Sequence, residues 1–468
     1  MTSYAEFLAN KAAIDPPSGL RIVPELSPHL KPFQAALTGW SLRRGRAAMF
    51  AGTGLGKTLM QLTYARVVCN EEQAPVLIHA PLAVTDQTIA EAEKFGIPGV
   101  TYATDGASIK SDISLTNYER ADRFNPDHFC GVALDESGII KSHDGVYRRE
   151  LTDRWRRTPW KLCCSATPAP NDYTELGQHS EFLGVMDAKE MLSMFFVHDG
   201  SIRADDHSQT NDGWRLKRHA TEDFWRWLAS WSVMVRHPSD LGFDEPGYDL
   251  PPLNLHEIKV AADYVPSPDA GLFPIAASTL SERITARRET ADDRVRAAAE
   301  IARREPDEPW LIWCNLNSEA DAIEALIPQA LQVAGRHDAA IKTERLLGFK
   351  AGRPPILVSK PTIAGHGMNY QHCARMIFVG LTDSFEAIYQ AIRRTWRFGQ
   401  ARAVDCYFIV SEREGNVVAN IRRKEAAFNA MQDKMAIHMR DLMRESVIGG
   451  RNASVASASV KMEVPAWL

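Results

Sequence analysis

The stretch Ala51-Gly52-Thr53-Gly54-Leu55-Gly56-Lys57-Thr58 constrains the fold most strongly. It follows the apolar run Ala47–Phe50 and opens the helix-like segment Leu59–Val68. Strand, glycine-rich turn and helix, in that order, read as a phosphate-binding loop. The glycines let backbone N–H groups approach phosphate oxygens where a Cβ would stand in the way. The helix start adds the positive end of its dipole. Lys57 is then placed for β- and γ-phosphates, and the Thr58 hydroxyl for Mg²⁺. Ala51 stands where the general pattern has glycine.

Around that loop the chain alternates short apolar strands with helix-length segments, as parallel α/β domains do. Strands are expected at Ala47–Phe50, Val76–Ala80, Ile113–Thr116, Val132–Leu134 and Lys161–Cys164. A second series is expected at Trp310–Cys314, Ile356–Ser359, Arg375–Val379 and Val404–Val410, with helices from Ser318, Ser384 and Gly415. Between the series, Phe224, Trp225, Trp227 and Trp231 recur at near-helical spacing, which favours a packed face over a nucleic-acid contact. The expected layout is an N-terminal extension at 1–25, a first lobe at 26–184 and a helical insertion with linker at 185–260. A second lobe at 261–412, a C-terminal helix at 413–448 and a Ser/Ala/Gly-rich tail at 449–468 complete it. The tail ends in Trp467-Leu468 and is a candidate docking element for a protein partner.

Composition excludes some classes. No run approaches the ~18 apolar residues of a membrane span. The first residues lack the basic start and apolar core of a secretory signal. The seven cysteines include no CxxC and no zinc-finger spacing. A reduced, cytoplasmic protein without a structural metal is expected. The net charge of −5 leaves nucleic-acid binding to local clusters such as Arg393–Arg402. Ser281–Glu305, rich in both arginine and acids, reads as a salt-bridged solvent face.

A nucleotide hydrolase also needs carboxylates at a second strand end. Gly131-Val-Ala-Leu-Asp135-Glu136-Ser137-Gly138 supplies them. Asp135 is placed to help hold Mg²⁺. Glu136 is placed to orient or activate the attacking water.

In sequence order, these motifs resemble superfamily 2 helicases, and within them the Snf-type DNA-dependent ATPases, over roughly residues 26–410. Leu30-Lys-Pro-Phe-Gln34 is similar to the family segment whose glutamine reads adenine, a base edge that needs both a donor and an acceptor. An alanine-first phosphate loop is usual in these helicases. Ile78-His-Ala-Pro81 and Thr116-Asn117-Tyr118-Glu119 resemble segments that touch the nucleic-acid backbone. Asp135-Glu136-Ser137-Gly138 departs from the DEAH and DEAD forms at its fourth position, which weakens an expected inter-lobe contact. Ser165-Ala166-Thr167-Pro168 resembles the motif linking nucleotide state to nucleic-acid grip. In the second series, Ser359 through Gly365-His-Gly367-Met-Asn369 is similar to the GxGxN segment. Gln390-Ala-Ile-Arg393-Arg394-Thr-Trp-Arg397-Phe-Gly399-Gln400 resembles the QAxxRxxRxGQ signature. Arg394 and Arg397, three apart, are expected on one helix face as γ-phosphate ligands.

The resemblance implies two RecA-like α/β lobes that hold ATP·Mg²⁺ through Gln34, the 52–58 loop, Asp135 and Glu136. It further implies a motor on nucleic acid, double-stranded DNA above all. A strand-separating helicase and a non-hydrolysing ATP-dependent DNA-binding subunit are the alternatives.

Overall fold

The computed structural model describes residues 16–141, 146–170, 172–198, 213–260, 288–364, 369–381, 384–411 and 415–448. Chain contacts divide it into two compact units, Met1–Glu245 with Asn429–Leu468, and Pro246–Phe428.

The first unit starts with the strands β1 (Arg46–Ala51), β2 (Val76–Ala80), β3 (Val100–Tyr102), β4 (Ile113–Asn117), β5 (Gly131–Asp135) and β6 (Trp160–Cys164). A short antiparallel ribbon follows, β7 (Phe196–His198) with β8 (Trp214–Leu216), and then β9 (Ser232–Val235). Strands β1 to β6 and β9 form one parallel sheet in the order β3-β4-β2-β5-β6-β1-β9. Every residue of β2, β4 and β6 is buried. Helices cover both faces of such a sheet, so its strands are apolar throughout and do not alternate.

Among the described residues, 185–260 supply the helices Ala188–Phe195 and Thr221–Trp231 and the four strands β7, β8, β9 and Leu253–Val260. Phe224, Trp225, Trp227 and Trp231 are all buried. They pack with one another and with Phe195, Phe196, Tyr173 and Phe50, a core stripe as their spacing predicts. β9 follows that helix directly and pairs beside β1. Residues 429–447 of the long helix Gly415–Val447 complete this unit. Met435, Met439 and Met443 recur every fourth residue on its buried side. Ser446 Oγ accepts a 2.7 Å hydrogen bond from Trp40 Nε1, and Met443 Sδ accepts one from the Met234 amide.

The second unit holds β10 (Leu253–Val260), β11 (Trp310–Cys314), β12 (Ala330–Val333), β13 (Ile356–Ser359), β14 (Arg375–Val379) and β15 (Val404–Ser411). All are parallel, in the order β10-β15-β14-β11-β13-β12. The arginine-rich helix spans Ala291–Arg304, and residues 281–287 of the expected stretch lie outside the described residues. It is not solvated all round. Arg294 is wholly buried in an ion pair with Glu319. The other oxygen of Glu319 accepts 2.9 Å hydrogen bonds from the amides of Asn315 and Leu316. One carboxylate therefore neutralises a buried guanidinium and ties down the start of the helix Asn317–Leu326. Arg296 and Arg303 of the same helix keep to the surface, the former 3.4 Å from Asp293.

Among the described residues no helix is long and apolar enough to cross a membrane.

Candidate active site

The first sheet's order collects the sequence motifs. Reading across it, Thr116-Asn117 ends β4, Pro81 follows β2, Asp135 ends β5, Ser165 follows β6 and Ala51 ends β1. These are five neighbouring strands, and ligands bind at the carboxyl ends of open α/β sheets. Adjacent strands lie about 4.8 Å apart. The register sets both Met49 and Asp135 opposite Cys164, so roughly 10 Å separates the phosphate loop's strand from the acidic one.

The loop turns through Gly54 at φ 90° and Gly56 at φ 81°, a region that favours glycine. A Cβ on Gly56 would come 2.2 Å from Gln34 Nε2. Gly56 precedes the helix Lys57–Glu72, and no side chain caps it there. The helix start thus faces the loop with its own amides, the arrangement that binds anions. Lys57 Nζ donates to the Ala51 carbonyl at 2.8 Å and to that of Gly52 at 3.3 Å. Thr53 Oγ1 is buried in the loop with no hydrogen-bond partner among the described residues. Thr58 opens the helix one residue after Lys57, and Leu55 is buried beneath the turn.

Gln34 lies in the helix Pro32–Arg44 and is buried. Its Nε2 donates to the Leu55 carbonyl at 2.9 Å and its Oε1 accepts from the Lys31 amide at 2.8 Å. One donor and one acceptor position of the carboxamide are used in fixing it. A second of each remains, the pair that an adenine edge requires.

Burial pushes the Asp135 carboxyl up to about 7, the Glu136 charge adds to that, and Lys57 opposes it. A buried carboxyl of this kind carries its charge more readily beside a cation. Glu136 sits at φ 53°, a left-handed conformation that costs a non-glycine residue roughly 1–2 kcal/mol. Buried groups flank it. The Tyr118 hydroxyl donates to the Asp135 carbonyl at 2.6 Å. Ser137 Oγ and His179 Nε2 are 3.1 Å apart, both residues fully buried. Burial holds the His179 imidazole down at about 4, so it is neutral.

A loop glycine without room for a Cβ, a buried hydroxyl without a partner among the described residues and a buried carboxyl whose charge a cation would stabilise all fit a nucleoside triphosphate with Mg²⁺. The ligating set would be Gly52 to Thr58 with Asp135.

The remaining motif residues of this unit are held internally. Ser165 Oγ accepts a 3.0 Å bond from the Thr167 amide, and Ser165, Ala166 and Thr167 are buried. Thr116 is fully buried. The Asn117 amide is engaged by the Tyr102 hydroxyl at 2.7 Å and by Glu119 at 2.5 Å. Pro81 precedes the helix Leu82–Lys94 as its N-cap.

In the second unit the expected single helix face does not form. The helix ends at Ile392, and Arg394 and Arg397 occupy the turns beyond it. The cause is local. The Arg394 carbonyl accepts a 2.8 Å bond from the Tyr370 amide, and Trp396 Nε1 donates 2.7 Å to the Pro251 carbonyl. Both draw the chain off the helical path. Arg394 is nonetheless buried with its guanidinium 3.2 Å from Gln390 Oε1, and Arg397 bonds to Asn369 Oδ1. Arg393 lies over the rings of Tyr389 and Trp396, a packing role. Gly365 and Gly367 lie outside the described residues.

Sequence reasoning passes over His179. A histidine inside Leu176-Gly-Gln-His-Ser-Glu-Phe-Leu183 carries no motif, and its partner is 42 residues away. The serine third in the acidic motif is the one local hint.

Residues 293–399 match the helicase conserved C-terminal domain. The second lobe is similar to those domains, and both sheets are RecA-like parallel lobes. The fold is also similar to the Sulfolobus solfataricus SWI2/SNF2 ATPase core in complex with dsDNA. That likeness has 17% identity and a TM-score of 0.42, and covers 93% of this chain and 98% of the other. Among curated proteins none matches the sequence significantly.

Proposed function

We propose that this chain is a DNA-dependent ATPase that moves along duplex DNA. The observation supporting it most directly is the convergence of phosphate loop, acidic turn and Ser165–Thr167 turn at one sheet edge, in a chain whose second lobe matches a helicase domain. The choice of duplex DNA rests on Gln390–Gln400, which resembles the Snf-type signature.

Gln34 takes the adenine edge, and the amides from Gly52 to Lys57 take the phosphates. Lys57 exchanges the Ala51 and Gly52 carbonyls for phosphate oxygens. Mg²⁺, when bound, neutralises charge on the β- and γ-phosphate oxygens, with Thr58 and Asp135 as its protein ligands. Glu136 orients the attacking water and accepts its proton. Arg394 and Arg397 bring guanidinium forks to the charge developing on the transferred phosphoryl group. The segments that carry Pro81, Thr116-Asn117, and Gly365, Gly367 and Asn369 serve the nucleic-acid backbone, with Thr116 and Asn117 as internal supports of theirs. The Ser165-Ala166-Thr167 turn and Gln390 relay the nucleotide state to that grip.

The test is ATP turnover with duplex DNA, single-stranded DNA, RNA or no nucleic acid, with Lys57→Ala as the inactive control. Duplex DNA is expected to accelerate turnover most. Turnover indifferent to all four conditions would defeat the motor reading.

A further inference from the structure

Ser137 and His179 form a buried polar pair that the proposed chemistry does not use. A sheet core accepts apolar residues at both positions without leaving polar atoms to satisfy, and a buried polar pair gains little net stability from its own hydrogen bond. Its location gives it another purpose. Ser137 follows Glu136, the residue held at φ 53°. Gly138 comes next and has no side chain with which to anchor the turn. The Ser137 hydroxyl is thus the turn's polar handle, and it reaches His179 Nε2 at 3.1 Å.

His179 belongs to the helix Leu176–Leu183, which follows the Ser165–Thr167 turn along the chain. Its ring also meets Phe50 edge-on, with centroids 5.2 Å apart at 84°. Phe50 is the penultimate residue of β1, directly before the phosphate loop. One imidazole therefore touches the strand end that carries the phosphate loop and the turn that carries the acid. On the other side of Glu136, the Tyr118 hydroxyl holds the Asp135 carbonyl at 2.6 Å. The strained residue is clamped from both sides, and strain at such a site persists only where its surroundings over-determine it.

We infer that His179 is a positioning residue, holding the Glu136 backbone in its left-handed conformation through Ser137 and keeping the carboxylate aimed at the edge where the phosphate loop ends. This rests on the reading that Glu136 serves ATP hydrolysis.

The test compares the full chain with His179→Leu, Ser137→Ala, the double variant and His179→Gln, whose amide nitrogen replaces Nε2. Steady-state ATPase kinetics, affinity for a fluorescent ATP analogue and hydrogen–deuterium exchange are measured on each. Each single variant is expected to lose about tenfold in kcat, an order of size suited to a misaimed general base. KM for ATP and analogue affinity should stay within about twofold, as for an interaction made only in the transition state. The double variant should be no worse than either single one, because both remove the same bond. His179→Gln should recover most of the lost kcat. Without nucleotide, exchange over residues 135–141 should quicken in His179→Leu while the loop at 52–58 stays as protected as before.

If His179→Leu fails to fold, Ser137→Ala and His179→Gln carry the same comparison. A kcat within twofold of wild type in Ser137→Ala, or KM rising in step with the fall in kcat, would overturn the inference and leave the pair a packing feature. A wild-type chain without ATPase activity, or Glu136→Gln as active as wild type, would overturn the hydrolysis reading first. The exchange result distinguishes the two failures, since it reads the turn without any turnover.

Discussion

Each lobe is built on its own parallel sheet, and the two fix their candidate site groups in opposite ways. In the first, the groups are set by backbone. Gly54 and Gly56 shape the loop, Lys57 rests on carbonyls, and Glu136 owes its direction to a φ of 53°. In the second, side chain holds side chain. Arg394 is met by Gln390, Arg397 by Asn369, and Arg294 by Glu319. A backbone-built site tolerates few residue types at each position. A site built from side-chain pairs tolerates a change only when the partner still matches.

That contrast can be broken at several points. The largest effect is expected from the second lobe's guanidinium groups, since an arginine serving a phosphoryl transfer is worth roughly 10³-fold or more in kcat. Arg397→Ala should lose that much, and Arg397→Lys should recover little of it, because an ammonium lacks the planar fork. ATPase assays on both variants decide. Glu136→Gln comes next, with turnover down about 10²-fold and analogue binding kept, read by kinetics beside equilibrium titration. Loss of binding in that variant would contradict a purely chemical role.

Glu319→Gln probes stability instead. The amide can still accept from the Asn315 and Leu316 N–H groups, but it leaves the Arg294 charge buried without its counterion. A loss of about 3 kcal/mol is expected, read from urea unfolding.

A pH-dependent effect lies in β6. Lys161 is pulled down to about 7, by burial first and then by Arg46 nearby. An unfolded lysine titrates near 10.4. Between those limits the unfolded chain binds the proton more strongly, so this group makes stability rise with pH. Subtracting Lys161→Met from wild type should leave a stability difference that climbs from pH 7 to pH 10. A flat difference would mean the ammonium stays charged on its Phe182 carbonyl, 2.7 Å away.

Much of the sheet architecture was legible because buried parallel strands are short apolar runs between turns. All five strands expected in the first lobe and all four in the second recur within a residue or two. Among the strands that escaped, two show why. Ser232–Val235 continues without a break from Trp231, so its apolar residues extend the helix pattern before it. Leu253–Val260 is an edge strand with no fully buried residue, behind a Pro-Pro pair that reads as linker. The phosphate loop was readable since all its parts are contiguous. Arg394 and Arg397 were expected on one helix face, and that backbone was not legible, because the bond ending the helix comes from Tyr370. His179 was out of reach for the same reason, its meaning resting on a residue brought close by the sheet alone.

The position of residues 429–447 bears on how the molecule is made. During translation domains generally fold from the N-terminus onward. Here every strand of the first sheet has been synthesised by Val235, whereas Met443 and Ser446, which cover Met234 and Trp40, leave the ribosome some two hundred residues later. The nascent first lobe must wait, with an apolar flank uncovered, while the entire second lobe emerges. A nonsense codon after Ser411 would spare both sheets, and yet the lobe made first would never be finished.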